Sequence, residues 1–245
     1  MKRIFVPLVL LLALSCPAQK TFVTGKEILT SKLHPTAYKM TWYMQEDTMK
    51  MFIADVITRV SIKPDTVYIV QNIQMKGSKD SWVDSTVASM RNFRPIYHSS
   101  YNQQRDMVVR YKESNVEGSY NDKRKGAVTP FLDTVAGWYF DSNIYPHLLA
   151  WLPLRKGYTS QIPIYNFGGP GNMGIFSVSI KSVTKDTYTT SLNEVVKVYS
   201  VDIVDGSSQS SSQYLIGQKN RKTYKITTQT SRGKMVMQLV DDWKE

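Results

Sequence analysis

The chain has a single cysteine in 245 residues, and that residue, Cys16, lies close to the N-terminus. Residues 20–245 therefore hold no thiol, which excludes disulfide bonds, a cysteine nucleophile and zinc–cysteine sites from this part of the chain. Histidines are also few, and no pair among His34, His98 and His147 has the spacing of a helical metal site. We predict neither a metal nor a cofactor.

Long apolar runs are absent except at positions 4–14, where one run is interrupted only by Pro7. The run is too short to span a bilayer, follows Lys2 and Arg3, and is followed by small residues at 15–18. This arrangement is typical of a bacterial secretory signal peptide. We therefore predict that residues 1–19 are a signal peptide and that the protein is exported, to the periplasm or to the outer membrane.

Two ways of processing this segment remain open. Cleavage after Ala18 would release a soluble protein that begins at Gln19. Alternatively, residues 12–16 form a lipobox, and Cys16 becomes the lipidated N-terminus of a membrane-tethered lipoprotein.

Acidic residues are outnumbered, 20 against 31 basic residues, which gives a formal net charge of +11. Removing Lys2 and Arg3 with the signal peptide lowers this charge by two. Export argues against nucleic acid as the partner, so a basic surface predicts attraction to anionic lipid headgroups or acidic glycans. The alternative is a solvated basic surface without a specific partner, and the oligomeric state stays unassigned.

Most of the chain alternates apolar and polar residues, as half-buried strands do. Tyr38, Met40, Trp42 and Met44 alternate with polar or smaller neighbours, and the same period continues through 49–62 and 66–75. Turn residues separate these runs, and no repeat unit is visible. We predict one mainly β domain, residues 20–245, built on a large antiparallel sheet that must curve because about twelve strands do not stay flat.

Two segments have helical features. Thr24 and Glu27 form a capping-box pattern before a short N-terminal helix that ends at Pro35. Within the apolar segment 131–157, Asp141 or Ser142 is expected to cap a second helix. Its predicted buried face is formed by Ile144, Leu148, Trp151 and Leu152. We expect this helix to cover the concave face of the sheet.

Patterns that point to catalysis are weak. Residues 169–174 match the glycine fingerprint of dinucleotide-binding proteins, but the residues that follow predict a strand where that motif requires a helix. Asp84-Ser85 before His98, and Asp141-Ser142 before His147, lack the glycines of a nucleophile elbow. A hydrolase that uses two dispersed carboxylates, chosen from Glu117, Asp133, Asp141 and Glu194, is the less favoured alternative.

Aromatic residues and methionines are more informative, because on a curved sheet they can line an adaptable apolar cavity. The residues predicted to line such a cavity are Trp42, Met44, Tyr97, Trp138, Leu148 and Trp151.

Short motifs follow one another along the chain at 38–44, 84–85, 94–96, 108–111, 116–118, 140–141, 152–154, 157, 195–204 and 214–228. Their order resembles a family of exported bacterial β proteins of unknown function with the half-barrel fold of the lipoprotein carriers LolA and LolB. The resemblance implies an open, strongly curved antiparallel sheet with helices over its concave face. In the carriers that face accepts acyl chains.

We therefore expect a non-enzymatic binding protein of the cell envelope that holds an apolar or acylated ligand. The alternative is an envelope structural or interaction protein whose hollow is filled by its own helix.

Overall fold

The computed structural model of the protein describes residues 22–230 and 233–245. The predicted signal peptide and the lipidation candidate Cys16 lie outside the described residues, so both stay predictions. Within the described ranges, no helix is long and apolar enough to cross a membrane.

Eight strands form the first half of the described chain, in agreement with its alternating pattern. They are β1 (Thr36–Glu46), β2 (Met49–Ile62), β3 (Thr66–Met75), β4 (Trp82–Ser89), β5 (Pro95–Tyr101), β6 (Arg105–Tyr111), β7 (Asn115–Asp122) and β8 (Ala127–Thr134). The second half holds one helix and seven strands. They are β9 (Phe140–Asp141), α1 (Tyr145–Trp151), β10 (Ser160–Phe167), β11 (Met173–Thr189), β12 (Val195–Asp205), β13 (Ser210–Gly217), β14 (Thr223–Thr230) and β15 (Gly233–Leu239).

These strands form one sheet of fifteen, in the order β8-β7-β6-β5-β4-β3-β2-β1-β15-β14-β13-β12-β11-β10-β9. All neighbours are antiparallel except β9 and β10, which run parallel. Strand β1 pairs with both β2 and β15, and so joins two meanders into one sheet. The prediction of a mainly β protein with one large, open, curved sheet is confirmed.

The N-cap of helix α1 lies two or three residues after the predicted caps, Asp141 or Ser142. Ile144 occupies its N-cap without a side-chain hydrogen bond, while Asp141 Oδ1 accepts a 2.7 Å bond from the Asn143 amide just before the helix. Pro146 falls in the first turn, where a missing amide costs little. Leu152 ends the helix in an extended conformation, as expected for the residue before Pro153.

The N-terminal segment makes the predicted capping-box bond, with the Thr24 amide donating to Glu27 Oε2 at 2.8 Å. The chain nevertheless turns here, because Gly25 adopts a φ of +88° and packs against the backbone of Asn92. The helical part of this segment is a 3-10 helix of three residues, Thr30–Lys32.

The buried side chains of helix α1 pack against buried side chains of β2–β4 and β10–β13. We call this cluster the main core. The four residues of the predicted face are all buried, and so are His147, Leu149 and Ala150. A helix buried on nearly all sides belongs to a protein interior. The strands on both sides of β1 therefore pack around the same helix.

Candidate functional site

The structure divides the six predicted cavity residues among four places. Leu148 and Trp151 are buried in the main core, and Trp138 packs against it. Trp42 belongs to a separate cluster with Ala54, Val56 and Ile73, while Met44 is paired with Met51 and Met235 nearer the β1–β2 turn. Tyr97 follows the alternation of β5 to the face opposite His98. Their role in ligand binding stays a prediction.

A buried polar cluster crosses the interior at Asp141, which is fully buried. Its Oδ2 lies 2.9 Å from His98 Nδ1 and accepts a hydrogen bond from the Tyr111 hydroxyl. Its Oδ1 accepts bonds from the Thr86 hydroxyl at 3.2 Å and from the Asn143 amide. Because Thr86, His98 and Tyr111 come from β4, β5 and β6, the cluster holds edge strand β9 against the far side of the sheet.

The carboxyl of Asp141 and the imidazole of His98 shift each other's pKa. His98 and the hydrogen bonds from Tyr111 and Asn143 overcome the effect of burial and lower the pKa of the Asp141 carboxyl. Asp141 raises the pKa of His98 against the opposing effect of burial. Tyr111 has its pKa raised well above the ordinary value, first by burial and then by the Asp141 charge. Near neutral pH the cluster therefore holds an anionic Asp141 and a neutral Tyr111.

The partners of His98 and Thr86 show how the cluster is connected. His98 forms its hydrogen bond through Nδ1, and no described serine or threonine hydroxyl is bonded to its Nε2. The one hydroxyl of that class in the cluster, on Thr86, is bonded to Asp141 itself. The geometry suits a structural clasp between β9 and β4–β6.

The structure also shows where the other residues discussed in the sequence analysis lie. A strand, β11, follows the glycine-rich loop 168–172, as predicted, so the loop does not open a helix for a pyrophosphate. Glu117 forms a 2.8 Å ion pair with Lys112 on the surface. No group of three or more His, Cys, Asp or Glu side chains within the described residues has the geometry to hold a metal ion.

A pocket of about 470 Å³ lies beside the C-terminal part of α1, and we call it the helix pocket. Its apolar lining includes Val60 of β2, Ala150 and Trp151 of α1, and Leu239 of β15. Its polar lining includes Tyr38, His147 and a set of charged side chains. The charged residues are Lys32, Glu194, Arg221, Lys222 and Asp241. An apolar wall beside a charged rim is suited to an amphiphilic molecule.

Two polar side chains of the helix pocket, the half-buried Tyr38 and the buried His147, lie within hydrogen-bond distance of each other. The Tyr38 hydroxyl lies 3.3 Å from His147 Nδ1. Burial raises the pKa of Tyr38 to about 12 and lowers the pKa of His147 to about 4. Both side chains are therefore neutral at physiological pH, and the pocket's positive charge comes from Lys32, Arg221 and Lys222.

A second, wider groove of about 810 Å³ lies at the opposite end of the strands, between the β3–β4 and β5–β6 turns. Most of its lining residues have polar side chains, among them Ser78, Asp80, Gln103 and Arg105, which lie beside Trp82. The Gln103 amide donates to both Ser78 and Asp80, so these loops are tied to each other. The groove lies away from α1 and holds none of the six predicted cavity residues.

Sequence reasoning missed the residues that the fold brings together from distant positions. His98 is 43 residues before Asp141, and Tyr38 is 109 residues before His147. No sequence pattern marks Arg221 as a site residue. No local spacing reports such contacts, because they depend on how the sheet curves.

A family model described as a protein of unknown function, DUF3108, matches residues 37–240. The match covers the sheet from β1 to the residue after β15, including α1 and the helix pocket's strands. No curated protein and no solved structure matches the chain.

Proposed function

The chain belongs to the DUF3108 family of proteins of unknown function, and we propose that it is an exported cell-envelope binding protein that holds an apolar or acylated ligand. The observation that carries this proposal is the helix pocket. Its volume of about 470 Å³ lies within the range of about 300–1,000 Å³ that small-molecule sites occupy. Trp151, a residue predicted to line the cavity, forms part of its wall.

In this proposal the sheet is a half-barrel of the LolA and LolB type, and α1 lies in its concave face. Support comes from the main core, where α1 contacts strands from both sides of β1. The clasp at Asp141 provides further support, because it brings β9 close to β4–β6. The helix pocket is then the part of the hollow that α1 leaves unfilled.

Export and membrane association are part of the same proposal and rest on the sequence of residues 1–19. We expect the basic protein to work near anionic lipid headgroups, either released after Ala18 or tethered through Cys16. A Cys16→Ala variant separates the two: loss from the membrane fraction supports lipidation, and unchanged fractionation supports cleavage after Ala18.

The test of ligand binding uses protein extracted gently from cells that express it. Native mass spectrometry should show bound lipid, and the delipidated protein should take up a fluorescent fatty acid with a one-to-one stoichiometry. A lipid-free protein that takes up no fatty acid would overturn the proposal. Uptake should also be competed by unlabelled fatty acid, which distinguishes the pocket from general surface adsorption.

A second candidate function is that of a structural or interaction protein with a self-filled core. The specific observation in its favour is that Leu148, Leu149 and Leu152 are fully buried, so α1 already fills much of the interior. This candidate predicts that cross-linking captures a protein partner and that no fatty acid is taken up.

A further inference from the structure

The helix pocket contains a guanidinium group without an anionic partner. Arg221 lies in the β13–β14 turn, where its amide donates to the Gly217 carbonyl at 3.1 Å. Its guanidinium carbon lies 5.2 Å from the centre of the Tyr199 ring. Its Nε and Nη1 atoms are shielded from solvent and have no hydrogen-bond partner among the described residues. Such shielded donors of a charged group are costly to leave unpaired.

The acidic residues of the same pocket do not neutralise this group. Among the described residues, no ion pair joins Arg221 to Glu194 or Asp241. Asp241 Oδ2 instead accepts hydrogen bonds from the amide and the hydroxyl of Ser191, at 2.9 and 2.7 Å. Burial lowers the pKa of Arg221. Because the ordinary pKa of arginine is very high, the guanidinium stays cationic.

A second unpaired donor lines the pocket. His147 is 8% exposed, and its Nε2 has no hydrogen-bond partner among the described residues. A neutral imidazole that accepts from the Tyr38 hydroxyl at Nδ1 carries its single proton on Nε2. In that tautomer the ring holds an N–H donor on the α1 side of the pocket, where it is shielded from solvent.

We propose that the helix pocket recognises an amphiphile with an anionic head group, a carboxylate or a phosphate, and that Arg221 pairs with that head group. The shielded Nε2 of His147 lies beside this site, and the apolar wall formed by Val60, Ala150, Trp151 and Leu239 contacts the acyl chain. Arg221 is only partly buried and Nη2 is not among its shielded, unpaired nitrogens, so an anion can first reach the guanidinium there. Rotation of the planar group then presents a second N–H to the same anion. This inference rests on the proposed acyl-binding function and specifies the ligand class.

The test compares four probes by titration calorimetry on the mature protein, below their micelle concentrations: dodecanoate, dodecyl phosphate, dodecanol and inorganic phosphate. A hydrogen bond to a charged group contributes about 1.5–3 kcal/mol, so the two anionic amphiphiles should bind roughly 10- to 100-fold more tightly than dodecanol. Arg221→Gln should remove this difference and leave the affinity for dodecanol unchanged. Arg221→Lys should restore part of it, since lysine retains the charge but not the planar fork.

Lys219→Gln is the matched control, because Lys219 lies in the same turn, is exposed and does not line the pocket. It should leave all four affinities unchanged. The comparison of probes on the unsubstituted protein needs no variant and stands even if Arg221→Gln folds poorly.

The outcomes separate this inference from the proposed function. Equal affinity for dodecanoate and dodecanol would overturn the claim that the pocket recognises an anionic head group, but it would leave the proposed acyl binding intact. Equal affinity for inorganic phosphate and dodecyl phosphate would show that the acyl chain contributes nothing, and would overturn the claim that the ligand is an amphiphile. No binding of any dodecyl probe would overturn both the inference and the proposed function.

Discussion

The carboxylate of Asp141 connects four elements of the protein through side-chain and backbone hydrogen bonds. It receives hydrogen bonds from Thr86, His98, Tyr111 and the Asn143 amide, and it has no exposed surface. A buried carboxylate is tolerated only when its charge is paired and its lone pairs are satisfied. Asp141 meets both conditions, so we expect its substitution to destabilise the protein.

Asp141→Asn should lower the free energy of unfolding by about 3–5 kcal/mol, because it leaves His98 and Tyr111 without their charged acceptor in a buried site. Urea denaturation followed by tryptophan fluorescence measures the effect. Glu117→Gln is the matched control: it makes the same carboxylate-to-amide change in the surface pair with Lys112. It should cost less than about 1 kcal/mol. Equal losses in both variants would contradict the clasp.

The contribution of this pair to stability should depend on pH in a defined window. The lowered pKa of Asp141 makes its contribution complete above the ordinary value of 3.8, and it is lost as the pH falls through the folded-state pKa. The raised pKa of His98 makes its contribution complete below the ordinary value of 6.5, and it is lost as the pH rises through the folded-state pKa. The charges of Asp84 and Arg105 act on His98 in opposite directions.

The difference in unfolding free energy between the unsubstituted protein and Asp141→Asn should therefore be larger at about pH 5.5 than at about pH 9. Denaturation curves at the two pH values measure it. A difference that is constant over this range would show that the charge on His98 contributes nothing.

At the level of the elements, the alternating pattern predicted β2 and β3 at their observed bounds, because one face of each strand is buried. It failed at β8, where Pro130 and an exposed face conceal a strand at the edge of the sheet. It also does not reveal the full length of β11, which continues through Thr189 after a register shift between Ile180 and Ser182. Helix α1 was predicted because its apolar residues repeat at helical spacing between two prolines.

Gly118 in β7 should be indispensable for the packing of β6–β8. A Cβ atom there would lie 2.0 Å from the Val108 carbonyl oxygen and 2.6 Å from the Phe131 ring. Gly118→Ala should therefore destabilise the protein by about 1–3 kcal/mol through overpacking. Thermal unfolding measures it, with Ser119→Ala on the other face of the same strand as the control, expected to change stability by less than about 0.5 kcal/mol. If Gly118→Ala leaves stability unchanged, strands β6–β8 can move apart at little cost.

Substitution of Leu148 tests how much α1 contributes to the stability of the core. Its side chain is fully buried, so Leu148→Ala should cost about 2–5 kcal/mol from lost burial and the cavity left behind. Val128→Ala in edge strand β8 removes methyl groups that are 64% exposed and should cost far less. Denaturant unfolding of the two variants measures the contrast. Similar small losses would place α1 outside the cooperative core.

On the scale of the whole molecule, the return of β15 to pair with β1 turns two meanders into a single curved sheet. The sequence predicts that so many strands must curve, but it contains no local pattern for which strands meet across the hollow. The Asp141 clasp and the helix pocket both depend on those long-range contacts. For that reason the mainly β fold was predictable, whereas Arg221, His147 and Tyr38 were not predicted to share one pocket.

The central claim is that an acyl ligand binds beside α1, and photo-cross-linking locates such a ligand directly. The mature protein is incubated with a fatty acid that carries a diazirine on its chain, irradiated, digested and mapped by mass spectrometry. The account predicts label on peptides that contain Ala150, Trp151 and Leu239, and its suppression by excess unlabelled fatty acid. Label confined to the polar groove around Trp82, or no label that competitor suppresses, would contradict it.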